Sequence, residues 1–203
     1  MKRGRLTFVK RFLLVCIGVA MLAFTSAVFE QKASVLIAPN SELLIKGKTN
    51  INTFKCKFNI NKIVNPIPLY YEIVDDKMLF HEAKLVLANT CFDCGSNVIN
   101  KDFRELLKTD EYPEISLKLK EIHKLPKSTT SIKAHVQIRI AGKSRTYTVP
   151  LEINNDETIC ASGVLGLNIC DFDLVAPKKA LGLIVVSEDI EIQFQLNFKA
   201  LKR

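Results

Sequence analysis

Between Ser131 and Ile140 the chain reads SIKAHVQIRI, placing Ile132, Ala134, Val136, Ile138 and Ile140 on one side of a two-residue period and Lys133, His135, Gln137 and Arg139 on the other. Side chains alternate across an extended chain, so this stretch predicts a strand with one dry and one wet face. Ala141-Gly142-Lys143 reads as a turn. Beyond it Tyr147, Val149, Leu151 and Ile153 alternate with Thr146, Thr148, Pro150 and Glu152, which predicts an antiparallel hairpin. The pattern returns near the end of the chain, where Ile190, Ile192, Phe194, Leu196 and Phe198 alternate with Glu191, Gln193, Gln195, Asn197 and Lys199.

Weaker alternation, with β-branched and aromatic enrichment, marks further strands at 41–48, 51–60, 69–74, 77–88, 114–122 and 158–169. In the second of these Phe54, Cys56, Phe58 and Ile60 share a face, and in the fourth Leu79, His81, Ala83, Leu85 and Leu87 do. About eight strands joined by short turns predict an antiparallel sandwich or a closed barrel.

One stretch departs from this pattern. Asn100 can cap a helix over residues 101–108, in which Phe103, Leu106 and Leu107 form an apolar stripe, and Pro113 disfavours helical geometry at Tyr112. A stripe of three residues cannot make a core of its own. It predicts a lid packed over the open end of a sheet.

The first 27 residues belong to a different category. Lys2, Arg3, Arg5, Lys10 and Arg11 precede an apolar run from Phe12 to Phe24, and Thr25-Ser26-Ala27 offers small residues for cleavage, the pattern of a secretory signal peptide. The apolar run falls short of the roughly 20 residues a spanning helix needs, so no membrane span is expected after cleavage. Val15 before Cys16 argues against a lipoprotein anchor. Removing residues 1–27 lowers the formal charge from +8 to about +3, with 24 basic residues against 21 acidic. The remaining lysines are scattered rather than clustered on one face, which argues against nucleic acid as a partner. Residues 28–203 are expected to form a single domain, periplasmic or secreted.

An exported chain with Cys56, Cys91, Cys94, Cys160 and Cys170 carries an odd count, so at least one thiol is free or bridges to another chain. Cys91-Phe92-Asp93-Cys94 has the spacing of a redox motif but lacks the βαβ context such a motif uses. A structural disulfide between Cys56 and Cys94 is the preferred reading, and Cys160 with Cys170 stays open. One CxxC without a second pair is a poor start for zinc, and no metal site or cofactor is expected. His123 and His135 are expected in solvent. His81, in phase with an apolar face, is either a polar anchor for a ligand head group or, more simply, a core histidine satisfied by a neighbour. No GxSxG, HExxH or strand-to-helix glycine loop occurs, so no catalytic residues are assigned and the chain is not expected to be an enzyme.

The helix followed by Tyr112-Pro113-Glu114-Ile115-Ser116-Leu117 resembles a signature of the YceI-like family of exported bacterial proteins. Gly47-Lys48-Thr49-Asn50 through Phe58, and Gly163-Val164-Leu165 through Asp171-Phe172-Asp173-Leu174 and on to Ile192, are similar to further segments of that family in the same order. Asp173 stands where the family usually has glycine. The resemblance implies an all-β fold, an antiparallel lipocalin-like barrel of about eight strands, with the helix packed near one end and an apolar lumen that in some members holds an isoprenoid or other lipid chain. The residues expected to line that lumen are Phe54, Phe58, Val136, Ile138, Tyr147, Val149, Phe194 and Leu196, with Phe103, Leu106 and Leu107 as its lid. The same apolar residues would equally fill a dry core. A structural barrel working through surface contacts with a protein partner is therefore the alternative, and an apolar barrel mouth leaves a homodimer open.

Overall fold

The computed structural model describes residues 30–123, 130–155 and 158–201, and the expected signal segment lies outside them. In chain order it contains strands β1 (Gln31–Ile37), β2 (Glu42–Lys48), β3 (Thr53–Phe58), β4 (Ile67–Val74), β5 (Lys77–Glu82), β6 (Lys84–Ala88) and β7 (Phe92–Asp93). Helix α1 (Asn97–Leu106) follows, then β8 (Glu114–His123), β9 (Ser131–Ile140), β10 (Lys143–Asn155) and β11 (Ile159–Asn168). The short β12 (Lys178–Lys179) and β13 (Ile184–Val185) precede the final strand, β14 (Asp189–Leu201). Strands β1, β4, β5, β8, β9, β10, β11 and β14 pair in that order, all antiparallel, and β14 returns to β1 to close a ring of eight.

Alternation explains the wall. Ile132, Ala134, Ile138 and Ile140 of β9 are buried, while Lys133 and Arg139 are exposed. The register Val136↔Tyr147 and Ala134↔Val149 sets the inward residues of β9 and β10 side by side. Their turn is Ala141-Gly142, with φ of 45° and 79°, the left-handed pair whose twist suits a two-residue hairpin. A Cβ on Gly142 would lie 2.7 Å from the Tyr112 ring, so the Tyr-Pro segment packs directly on this turn. Asn89 ties the same segment down: its side-chain amide donates to the Tyr112 carbonyl at 2.8 Å and its backbone N–H to the Pro113 carbonyl at 2.9 Å.

The wall forks twice. β14 carries β11 along one edge, but its other edge is divided between β2, at Glu191–Gln195, and β1, at Phe198–Leu201. Buried Asn197 marks the handover, its N–H donating to Ser41 Oγ at 2.9 Å and its side-chain amide to the Asn40 carbonyl at 3.1 Å. Polar groups left by an interrupted ladder are thereby satisfied. β8 divides likewise, pairing with β6 at residues 114–118 and with β5 at 121–123. β6 bonds to β8 and not to β4, so the wall parts between β4 and β6.

Three local expectations need correction. The run 77–88 is two strands, not one, and its phase slips between Phe80 and Ala83, both buried. His81 consequently stands in solvent, its side chain 54% exposed and its Nε2 3.6 Å from Glu72 Oε1. It is neither a core histidine nor a lumen anchor. The helix begins earlier than residue 101, because Ser96 is the cap, accepting from the Ile99 N–H at 3.2 Å. Asn100 instead accepts from the Cys94 N–H at 2.6 Å and donates to Asp93 at 3.1 Å. Termination also precedes Pro113: Lys108 turns left-handed, and the Thr109 N–H and hydroxyl both donate to the Arg104 carbonyl, at 3.0 and 2.8 Å.

Candidate functional site: an apolar lumen beneath the helix

Helix α1 covers an end of the barrel interior to which β2, β3 and the start of β8 all contribute side chains. Phe103 and Leu106, with Leu107 just beyond the helix, line an apolar chamber of about 70 Å³ together with Ile45, Phe54, Ile115 and Ile140. Further along the axis lies a second cavity of about 200 Å³. Leu43, Leu117, Ile138 and Ile192 line both, so one lumen is pinched at that layer. On the outer side of α1 a groove of about 440 Å³ runs between the helix and the β12–β13 ribbon, and it shares Phe54, Phe103, Leu106 and Val186 with the chamber. Groove, chamber and cavity thus follow one another, each sharing lining residues with the next.

Several devices hold the lid. Phe103 packs on Phe92 at 5.2 Å between centroids, and Phe92 meets Phe58 edge-on at 5.0 Å. Cys56 and Cys94 form a disulfide that binds β3 to the segment leading into α1. Lys179 of β12 reaches Asp102 of α1 at 2.7 Å, joining the two walls of the groove. That ion pair is partly exposed and contributes little by itself. Leu107 is 5% exposed, and burial of such a side chain stabilises by about 1.5–3 kcal/mol.

Of the residues singled out in the sequence, Val136, Ile138, Val149, Phe194 and Leu196 line the 200 Å³ cavity. Phe54 lines the chamber and the groove, beside the three lid residues. Phe58 is fully buried in the stack behind the lid. Tyr147 serves the wall: its hydroxyl donates to Asp171 Oδ2 at 2.8 Å and its ring lies 6.2 Å from Phe172. Burial, together with the Asp171 carboxylate, pushes the Tyr147 phenol up to about 12.

Two glycines shape the lumen. Gly47 pairs with Phe54 and Gly163 with Phe194 across their ladders, and a Cβ at either would collide with the ring, at 2.2 and 2.8 Å. Each ring therefore lies over bare backbone. Asp173, at φ 56°, adopts the conformation for which glycine is favoured, and its Oδ2 meets Lys143 Nζ at 2.6 Å. That hydrogen bond holds the Asp173 carboxyl below the usual carboxylate range. Sequence reading missed Leu43, Leu117 and Ile192 at the pinch, because strand alternation marks a face and not a depth along it. Lys84 was also missed; it is exposed at the parted wall and is the charged residue among those lining the cavity.

A closed antiparallel ring of eight strands with an apolar, helix-capped lumen defines the class of small barrels built around a core or one small ligand. Within that class, residues 71–198 match the YceI-like domain, and the chain belongs to that family. The fold is also that of BcnA from Burkholderia cenocepacia, at 18% identity and a TM-score of 0.59, covering 80% of this chain and 96% of that one. A polyisoprenoid binding domain from Saccharophagus degradans, implicated in plant cell wall breakdown, is similar at 17% identity and a TM-score of 0.59, covering 83% and 98%. The Campylobacter jejuni YceI protein aligns at 16% identity and a TM-score of 0.50, covering 61% and 74%. Comparison with curated proteins by sequence gives no match.

Proposed function

We propose that this protein is a carrier that holds a long apolar molecule of the isoprenoid or lipid class in its lumen, and that it does not act as a catalyst. The series of groove, chamber and cavity carries this reading. The inner two spaces are small beside the roughly 300–1,000 Å³ of ordinary ligand sites, whereas the groove brings the whole path into that range. A short chain end fits the cavity; a longer chain has to pass Phe54, Phe103 and Leu106. Its polar end would meet Lys84 at the parted wall. Membership in the YceI-like family and the likeness to a polyisoprenoid binding domain support the same ligand class.

The signal-like segment at residues 1–27 and the Cys56–Cys94 disulfide support action in the periplasm or outside the cell, with residues 28–203 as one barrel domain. No helix among the described residues is long and apolar enough to cross a membrane.

Native mass spectrometry of the purified protein, followed by solvent extraction, is the direct test. An added mass of several hundred daltons, on the order of one lipid chain, is the expected result, and it should be lost faster from Phe103→Asp than from wild type. A bare protein mass with no uptake of added isoprenoid would leave a filled barrel acting through its surface. The same spectrum reads out homodimerisation through the apolar mouth.

A further inference from the structure

On the outer wall, at the end of the barrel away from α1, the structure assembles a group that the lumen does not use. The wall register shifts between Leu119 and Glu121. Leu119 still lines the lumen and Ile122 pairs with buried Ala134, so the slip at Lys120 turns both Glu121 and His123 outward. Glu121 then lies directly across from His135. One ligand atom from each of Glu121, His123 and His135 comes within 4.8 Å of the other two, and all three residues are half-buried. The two imidazole centroids are 6.5 Å apart. Thr148, the cross-strand neighbour of His135 on β10, places Oγ1 3.4 Å from His135 Nδ1.

We infer that Glu121, His123 and His135 form a binding site for a borderline divalent ion of the zinc type, clipping β8 to β9. Two imidazoles and a carboxylate suit such an ion, and the hydroxyl behind His135 is the kind of partner that orients a ligating histidine. Bond lengths to such an ion are about 2.0–2.2 Å, so the three side chains have to draw closer around it. One group opposes entry. Lys77 Nζ holds Glu121 Oε1 at 2.9 Å, so the ion has to displace an ammonium from the carboxylate. The site rests on its own geometry, independent of any lumen ligand.

Calorimetric titration of the purified protein with Zn²⁺, read beside histidine side-chain NMR, tests the assignment. One equivalent should shift the His123 and His135 imidazoles and leave His81, beside Glu72 on another part of the wall, unmoved. His135→Ala and Glu121→Gln should each weaken binding by at least about tenfold, His81→Ala should leave it unchanged, and Lys77→Gln should strengthen it. Co²⁺ in place of zinc should show no thiolate charge-transfer absorption, which separates this site from Cys91, Cys160 and Cys170. Binding that survives His135→Ala, a thiolate band, equal shifts at His81, or no binding at micromolar zinc would each overturn the assignment.

Discussion

At the scale of single residues, polar side chains tie the wall of this barrel to the segments beside it. Tyr147, bonded to Asp171, is one of them. With its phenol raised to about 12, against an ordinary value of about 10, the folded state favours the neutral form. The resulting stabilisation is complete below about pH 10 and disappears as pH rises through about 12. The unfolding free energies of wild type and Tyr147→Phe should therefore differ by a constant amount up to about pH 10, and above it wild type should lose stability relative to the variant. Ultraviolet titration showing every tyrosine ionising near 10 would contradict this. Gly142 makes a second case, since its left-handed φ and the Tyr112 ring act together. Gly142→Ala should cost more than the roughly 1–2 kcal/mol of left-handed backbone alone. In a Tyr112→Ala background the penalty should shrink towards that range; equal penalties in urea unfolding would mean that the ring is not what excludes the methyl. The glycine was legible as a turn residue, but its packing against Tyr112 was not, because thirty positions of chain separate them.

At the scale of elements, the long alternating strands were readable because one face of each is buried and the other is wet. β9 keeps the bounds that its sequence predicts, Ser131–Ile140. The helix was readable as a short amphipathic element but not in its limits, because Ser96 caps it and left-handed Lys108 ends it, neither of which carries an apolar signal. β1 escaped notice altogether: QKASVLI has no clean alternation, yet it pairs with both β4 and β14. His123 and His135 were read as separate solvated residues, since a one-residue slip in β8 is invisible in the text. The lid's attachment gives the prediction at this scale. Cys56 and Cys94 enclose a separation of 38 residues, for which a chain-entropy account gives about 4 kcal/mol. Replacing both with alanine should lower the unfolding free energy by about 2–4 kcal/mol, and the lost protection in hydrogen exchange should centre on α1 and β3. Uniform loss over the whole barrel would show that the disulfide steadies the ring and not the lid.

For the whole molecule, closure depends on β1, and each half of the chain needs the other. Val35 pairs with Ala200 on one side and Ile67 on the other. Val35→Pro should orphan a ladder acceptor at a cost of about 1–3 kcal/mol, and it should release any lumen ligand while β9 and β10 stay paired. Retention of ligand by that variant would show that the lumen is sealed without β1. The first described strand and the last lie side by side, and the last also supports β2 and β11. A chain made from its N-terminus therefore cannot complete this barrel until Asp189–Leu201 has been delivered. Until then β1, β2 and β11 wait with bare edges. Such a protein stays exposed to edge-to-edge aggregation if synthesis stalls short of its final strand.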